Sequence, residues 1–336
     1  MKILVNCPLP FALAHGGHQI QIQRTLAALQ AGGVQTEPVR WWDEHQTGDL
    51  IHYFGRMPVG QVKLAQQKNI KVIIGELLTE QGSRSALQLR VQKIISHAIE
   101  RFAPGNFIYA FNWESYRLAD ACIALTPWEA DLMHSLFGAP RERIHVLANG
   151  VEDVFLNSPK AARGKWLVCA ATITERKRVL ELAEAAVRAR TPVWIVGGAY
   201  SENEHYAQKF FALARQHPQF VRHEGPVPDR AQLAQIYREA RGFVLLSNME
   251  SLSLSALEAA ACECPLLLSD LPWARCAFGD AARYCPVTKS AETTAKGLRD
   301  FYDAAPGLPA PPKPASWNEI GRQLKQIYQK VIGISR

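Results

Sequence analysis

Glu250 and Glu258 stand eight positions apart, joined by Ser251-Leu252-Ser253-Leu254-Ser255-Ala256-Leu257. Upstream lies Gly242-Phe243-Val244-Leu245-Leu246, a short apolar run of buried-strand type. A strand therefore delivers Glu250 to its C-terminal edge, and a helix with serines at hand as N-caps starts a few residues later. Leu254, Leu257, Glu258 and Ala261 fall at i, i+3, i+4 and i+7, so Glu258 lies on or beside the inward face. Burying an unpaired carboxylate costs several kcal/mol, so Glu258 needs a partner or a ligand. As two isolated glutamates, the pair reads more readily as a solvated strand end and a carboxylate met by a neighbouring Lys or Arg; the strand–loop–helix context reverses that preference.

A second group is cationic. Thr172-Ile173-Thr174-Glu175-Arg176-Lys177-Arg178 follows one strand-like run and precedes a helix, a place where cations hold a pyrophosphate or stand solvated. Glycines mark three further strand ends. They are Gly16-Gly17 after the first strand, Gly197-Gly198, and Gly225 in Gly225-Pro226-Val227-Pro228. Glu76 follows Lys71-Val72-Ile73-Ile74-Gly75 at another.

The elements that must position these groups alternate along the whole chain. Buried-strand runs occur at Ile3–Asn6, Val34–Val39, Asp49–Tyr53, Lys71–Gly75, Cys122–Leu125 and Ile144–Leu147. A second set falls near Trp166–Ala170, Val193–Gly197, Phe220–His223, Phe243–Leu246, Leu266–Ser269 and Arg283–Pro286. Helical periodicity separates them: Ile22, Leu26 and Leu29 share one face before Gly32-Gly33, and others span 180–189 and 231–240. Thr126-Pro127-Trp128-Glu129 and Ser316-Trp317-Asn318-Glu319 read as capping boxes. Strand–helix alternation predicts parallel, doubly wound sheets, here two Rossmann-like domains facing a cleft. The expected boundaries are 1–152 and 153–316, with a C-terminal helix at 317–334 returning to the first domain and a Pro-rich linker at 306–314 before it. Ligands bind at the C-terminal strand edges of such sheets, and helix N-termini seat anions.

On these residues the chain resembles the retaining GT-B glycosyltransferases of the GT4-type family. The resemblance rests on Glu-x7-Glu between a strand and a Leu-rich helix, the Ala/Cys-rich turn into Pro265-Leu266-Leu267-Leu268, Gly16-Gly17, Ala148-Asn149-Gly150-Val151-Glu152 and Lys177. It covers most of the chain and is firmest over residues 148–270. It implies transfer of a sugar from a nucleoside-diphosphate-sugar to an acceptor hydroxyl with retention, a hexosyltransferase-type reaction in glycan, glycolipid or envelope polysaccharide synthesis. Lys177 would stabilise the diphosphate leaving group, and Glu250 would contact sugar hydroxyls. Glu258 would accept from the ribose 2′- and 3′-hydroxyls, and N–H groups near Ser253, Leu254 and Ser255 would hold phosphate. The loops of Gly197 and Val227 would flank the nucleotide, and Gly16 and Gly17 would approach the donor phosphates and the acceptor. Glu76 would stand in for the histidine or aspartate that touches the sugar.

The chain departs from the family pattern at Thr172, where an arginine is expected, with Arg176 and Arg178 as candidate substitutes. It departs again at Ser251, Ser253 and Glu263, where glycine is commoner. The leaving diphosphate can itself take the acceptor's proton, which removes the need for a dedicated base. No Asp-x-Asp stands at a phosphate-binding position, so neither metal nor cofactor is expected. Two other readings compete: a catalytically degenerate nucleotide-binding or partner protein, motivated by Thr172, and a sugar-nucleotide epimerase.

Composition narrows the classes further. At 336 residues and 48% hydrophobic content the chain can build two domains. Seven cysteines without a C-x-x-C pair argue against a disulfide framework or zinc site. No run approaches about 20 apolar residues, and Met1-Lys2-Ile3-Leu4-Val5-Asn6 opens directly as a strand, which points to the cytoplasm. A net charge of +7 with scattered basic residues suits anionic substrates and speaks against nucleic acid. Residues 84–102 read as a helix carrying Arg84, Arg90, Lys93 and Arg101 among apolar positions. It reads as an ordinary amphipathic surface helix, as an acceptor-site wall, or as a peripheral contact with the inner membrane face. The expected partners are thus a nucleotide-sugar donor and a carbohydrate or lipid-linked acceptor.

Overall fold

The computed structural model describes residues 1–11, 16–102, 112–157 and 161–333. They form two compact units, one of Met1–Asn149 with Trp317 onward, the other of Gly150–Ser316. The expected boundary at 152/153 moves three residues upstream. Val151 N–H donates to Ala315 O at 3.0 Å and Val151 bridges Ser316, so these residues belong to the second unit.

In the first unit the strands are β1 (Lys2–Asn6), β2 (Gln35–Pro38), β3 (Leu50–Tyr53), β4 (Lys71–Ile74), β5 (Ala121–Ala124) and β6 (Ile144–Val146). All pair in parallel, in the order β2-β1-β3-β4-β5-β6. The second unit holds β7 (Leu167–Ala170), β8 (Val193–Val196), β9 (Val221–His223), β10 (Gly242–Leu245), β11 (Leu266–Ser269) and β12 (Ala282–Cys285). Its order is β12-β11-β10-β7-β8-β9, again all parallel. Parallel strands covered on both faces carry continuous apolar runs, and every residue of β10 and β11 is buried. The chain order reverses between β1 and β3 in one sheet and between β7 and β10 in the other. Loops that leave neighbouring strands in opposite directions open a crevice at such points.

Two expectations about local structure change. The Gly17–Ala31 helix buries Gln21, Ile22, Thr25, Ala28 and Leu29, while Leu26 is only half-buried, so the inward face is wider than the apolar residues suggested. At Thr126 the hydroxyl caps as predicted, accepting from Glu129 N–H at 3.1 Å. The Glu129 carboxylate does not return to Thr126. It accepts instead from the N–H groups of Leu125 at 2.8 Å and Leu78 at 3.2 Å, which satisfies buried backbone on two chain segments.

The C-terminal helix, Trp317–Ile332, packs along Gly17–Ala31 within the first unit. A Cβ at Gly321 would lie 2.8 Å from Ala28 Cβ, so glycine is what lets the two helices approach. Lys325 Nζ donates to Gly32 O at 2.8 Å. Deeper in, Tyr328 Oη lies 2.6 Å from Nδ1 of the buried His52 on β3, whose Nε2 has no hydrogen-bond partner among the described residues. Burial pushes the His52 imidazole down to about 3.

Candidate active site

The second unit's switch point brings the loop after β7 against the loop after β10. Asn248 N–H donates to Arg176 O at 2.8 Å, and Asn248 Nδ2 to Glu175 O at 3.3 Å. With the loops tied, the buried Glu250 carboxylate accepts from Lys177 Nζ and, at 3.3 Å, from Arg176 Nη1, which also donates to Met249 O at 3.1 Å. Burial raises the Glu250 carboxyl, but the Lys177 and Arg176 cations outweigh it and hold the group below the ordinary glutamate range. Glu250 is therefore a buried anion clamped by two cations, and the solvated reading fails.

The same geometry answers the question raised by Thr172, which lies half-buried in the loop after β7. Arg176 and Lys177 sit in a single 3-10 turn, Glu175–Lys177, so both reach the strand edge. Arg178 does not. Its backbone is left-handed, at φ 52°, which turns its buried side chain away to donate to Thr288 O. Of the two candidate substitutes, only Arg176 stands with Lys177.

Beyond Glu250, Ser253 caps the helix Leu254–Ala261, its hydroxyl accepting from Ala256 N–H at 3.3 Å and lying 3.1 Å from Ser255 Oγ. The opening N–H groups of an α-helix have no partner within the helix, and with its dipole they favour an anion there. Leu254 and Ser255, half-buried, begin that turn. One turn on, Glu258 is buried, as its face predicted, and it has a protein partner. Arg230 pairs with it and, through Nε at 2.7 Å, with Glu152; Tyr237 Oη stands 3.5 Å from its other oxygen. Burial drives the Glu258 carboxyl above the ordinary range, and Arg230 only partly offsets it. The Arg230 guanidinium is itself stacked 4.8 Å from the Phe155 ring centroid. Arg230 was not singled out from sequence, and Glu152 only as the end of the Asn149-Gly150-Val151-Glu152 run, although Asp229-Arg230 opens the next helix with Asp229 accepting from Ala231 N–H at 2.9 Å.

Three loops of the same unit are stitched together. Ile173 N–H donates to Gly198 O at 3.0 Å, and Gly197 N–H to Gly225 O at 3.2 Å. Gly197 has φ 149°, and a Cβ there would stand 2.0 Å from Ala171 O, so glycine is obligatory. Val227 lies half-buried beyond Gly225 in the third loop. Glu263, where the family pattern favours glycine, holds a left-handed φ of 57° just past its helix. The pattern's glycine thus has a backbone cause.

In the first unit, Gly16 precedes and Gly17 opens the first helix at the edge beside β1, while residues 12–15 of that loop lie outside those described. Glu76 is not a solvated strand end. It takes Arg56 Nε at 2.8 Å and the hydroxyl of the buried Tyr116, and Arg56 lies over the Tyr116 and Phe137 rings at 5.3 and 4.6 Å. Glu76 also lines a cavity of about 30 Å³ with Gln21, Thr25, His52 and Asn149. Arg56 and Tyr116 carried no signal that separates them from core residues. Among the described residues no group of three or more His, Cys, Asp or Glu is placed to hold a metal ion, and no helix is long and apolar enough to cross a membrane.

Residues 152–324 match the family described as Glycosyl transferases group 1, and residues 35–154 match Glycosyltransferase Family 4. A D-inositol 3-phosphate glycosyltransferase of Jonesia denitrificans is 32% identical over 177 residues, covering 45% of this chain and only 41% of that relative's length. Among solved structures, sucrose-phosphate synthase from Thermosynechococcus elongatus superposes with a TM-score of 0.67 at 18% identity, covering 99% of this chain and 100% of that one. A glycosyltransferase from Rickettsia africae gives 0.66 at 13%, with 99% of both chains covered. Anabaena HepE, solved with UDP and glucose, gives 0.61 at 14%, covering 98% of this chain and 100% of that one. These likenesses establish the GT-B fold, two parallel α/β units. With a family match over more than half its length, the chain belongs to the glycosyl transferases group 1 family.

Proposed function

We propose that this chain is a retaining glycosyltransferase that moves a sugar from a nucleoside-diphosphate-sugar to an acceptor hydroxyl. The observation that carries the reading is the Lys177–Glu250–Arg176 cluster beside the capped Leu254–Ala261 helix, at a strand-order reversal in a chain of this family. In this reading the diphosphate exchanges into the cations' coordination, and Lys177, Arg176 and the helix N-terminus carry the charge that develops as it leaves. Glu250, kept ionised by those cations, fixes their position and accepts from sugar hydroxyls. Glu258 accepts from the ribose. The departing diphosphate takes the acceptor's proton, and no metal is needed, so EDTA leaves turnover unchanged.

A thermal-shift panel of UDP, GDP, ADP, TDP and CMP, with Glu258→Ala alongside, tests the reading. A nucleotide at about 100 times its Kd adds about 2.7 kcal/mol to the unit that binds it. One nucleotide shifting the wild type but not the variant supports donor binding through Glu258. No shift with any of the five overturns it.

The finer reading of the partner is a lipid-linked acceptor met at an anionic membrane surface. The helix Ala86–Phe102 turns Leu87 (71% exposed), Val91, Ile94 (70%) and Ile95 outward, with exposed Arg90 and Lys93 among them. Apolar side chains flanked by cations match an anionic headgroup layer over acyl chains. Arg84, in contrast, is engaged by Glu80 and Gln92, and the Arg101 side chain lies outside those described. Co-sedimentation with phosphatidylglycerol vesicles, lost in Leu87→Ser/Ile94→Ser, is the expected result. Equal sedimentation of the two proteins refutes it.

A further inference from the structure

The chain has eight tryptophans, and six are buried or half-buried. The other two are adjacent: Trp41 is 49% exposed and Trp42 is 83% exposed. They lie in the loop leaving β2, at the C-terminal edge of the first sheet, one strand from its switch point. Side-chain hydrogen bonds tie that loop to itself and to β1. Arg40 donates to Asp43 Oδ2 from Nε at 3.1 Å and Nη2 at 2.9 Å, and its N–H donates to Gln46 Oε1 at 2.7 Å. Gln46 Nε2 in turn donates to Glu37 Oε1 at 2.7 Å and Pro38 O at 2.9 Å. Trp41 Nε1 donates to Asn6 Oδ1 at 3.3 Å, which pins its ring to the last residue of β1.

Single exposed apolar side chains need no explanation, but two adjacent indoles held out by a tied loop do. The bonds of Arg40, Asp43 and Gln46 fix the loop on both sides of Trp42. We propose that Trp41 and Trp42 form a stacking platform for a pyranose ring of the acceptor. An indole face is electron-rich, and the C–H bonds along one face of a pyranose are its electropositive complement. The hydroxyls at the sugar's rim then meet polar neighbours. Glu44 and His45 are exposed beside Trp42, and Asp43 is half-buried. Asp43 is neutralised by Arg40, and the exposed Glu44 is what selects against the rival occupants. An anionic lipid surface or a donor pyrophosphate is repelled by Glu44, whereas a neutral sugar is not. The inference rests on the reading of the chain as a glycosyltransferase and adds where its acceptor is held.

The test is saturation-transfer NMR on the full chain with methyl β-D-glucopyranoside, methyl β-D-galactopyranoside and methyl α-D-mannopyranoside. Saturation is expected on ring C–H protons of one face of at least one of them. Trp42→Ala weakens that binding by about tenfold or more, and Trp42→Tyr restores most of it. Circular dichroism of Trp42→Ala matches wild type, because the ring is solvent-exposed. Binding that is unchanged in Trp42→Ala, or absent for all three sugars, overturns the platform, as does a tryptophan fluorescence change that is lost in Trp42→Ala and responds only to anionic vesicles. The nucleotide panel separates the two ideas. A nucleotide shift with Trp42-independent sugar binding removes the platform alone, whereas Trp42-dependent sugar binding without any nucleotide shift removes glycosyl transfer and leaves a sugar-binding site.

Discussion

Replacing Arg230 by leucine keeps an apolar side chain over the Phe155 ring and removes the guanidinium that binds Glu258 and Glu152. The cost follows from what happens to Glu258, which stays buried. Left ionised without its partner, it costs about 3–5 kcal/mol. It can escape only by taking a proton, and from an unfolded value of about 4.3 that costs about 1.36 kcal/mol per pH unit, or about 3.7 kcal/mol at pH 7 and about 1 kcal/mol at pH 5. The cheaper route sets the loss. The wild-type carboxyl, itself raised by burial, already carries part of that cost, so destabilisation of up to about 3–4 kcal/mol at pH 7 should shrink to up to about 1–2 kcal/mol at pH 5, with the lost cation–π contact included. For a unit of this size a loss of about 3–4 kcal/mol corresponds to a fall of about 6–16 °C in the melting temperature. Urea unfolding of both proteins at the two pH values measures the difference directly. The same penalty at pH 5 as at pH 7 would refute a charge origin, and adding Glu258→Gln to Arg230→Leu should flatten the dependence.

Four further outcomes follow. Lys177→Ala should lower donor turnover by about 10²–10³-fold, since it removes a cation from the leaving group; a variant at wild-type rate would refute the role. His52, lowered from 6.5 to about 3 by burial, binds its proton in the unfolded chain first, so its contribution to stability is present above pH 6.5 and lost as pH falls toward 3. Between pH 7 and pH 5 that amounts to about 2 kcal/mol which His52→Asn should not lose; superimposable stability profiles would count against it. Glu263→Gly should stabilise by about 0.5–1 kcal/mol, because a side chain at that left-handed position is strained, and a lower melting temperature is the contrary result. Gly197→Ala should abolish nucleotide shifts, since its Cβ would displace the Ala171 carbonyl; an undiminished shift argues that the loop yields freely.

Strand positions were legible because buried parallel strands are continuous apolar runs, and β10 and β11 could be placed within a residue of their ends. The burial of Glu258 followed from helical spacing alone. Its partner did not, because Arg230 lies 28 residues upstream and the strand order decides what it faces. Lys177 and Glu250, 73 residues apart, meet only because β7 pairs with β10. Whether Arg176 or Arg178 joins them was invisible for a different reason. A single residue in a left-handed conformation reverses the direction of a side chain, and nothing in Arg-Lys-Arg announces it. The partners of Glu76 were not legible, because Arg56 arrives from the loop after β3 and Tyr116 from the short helix Glu114–Leu118.

The first unit is assembled from both ends of the sequence, with Gly150–Ser316 inserted into it. On the ribosome this fixes an order of events. The inserted unit has all its strands in hand before Trp317 emerges, while the N-terminal sheet, made first, waits for its last helix. During that interval the Ala28–Leu29 face of the first helix, the His52 ring and the seat of Tyr328 are uncovered to solvent and to chaperones. A premature stop just before Trp317 should thus spare the half of the chain nearest to it and unravel the half made earliest.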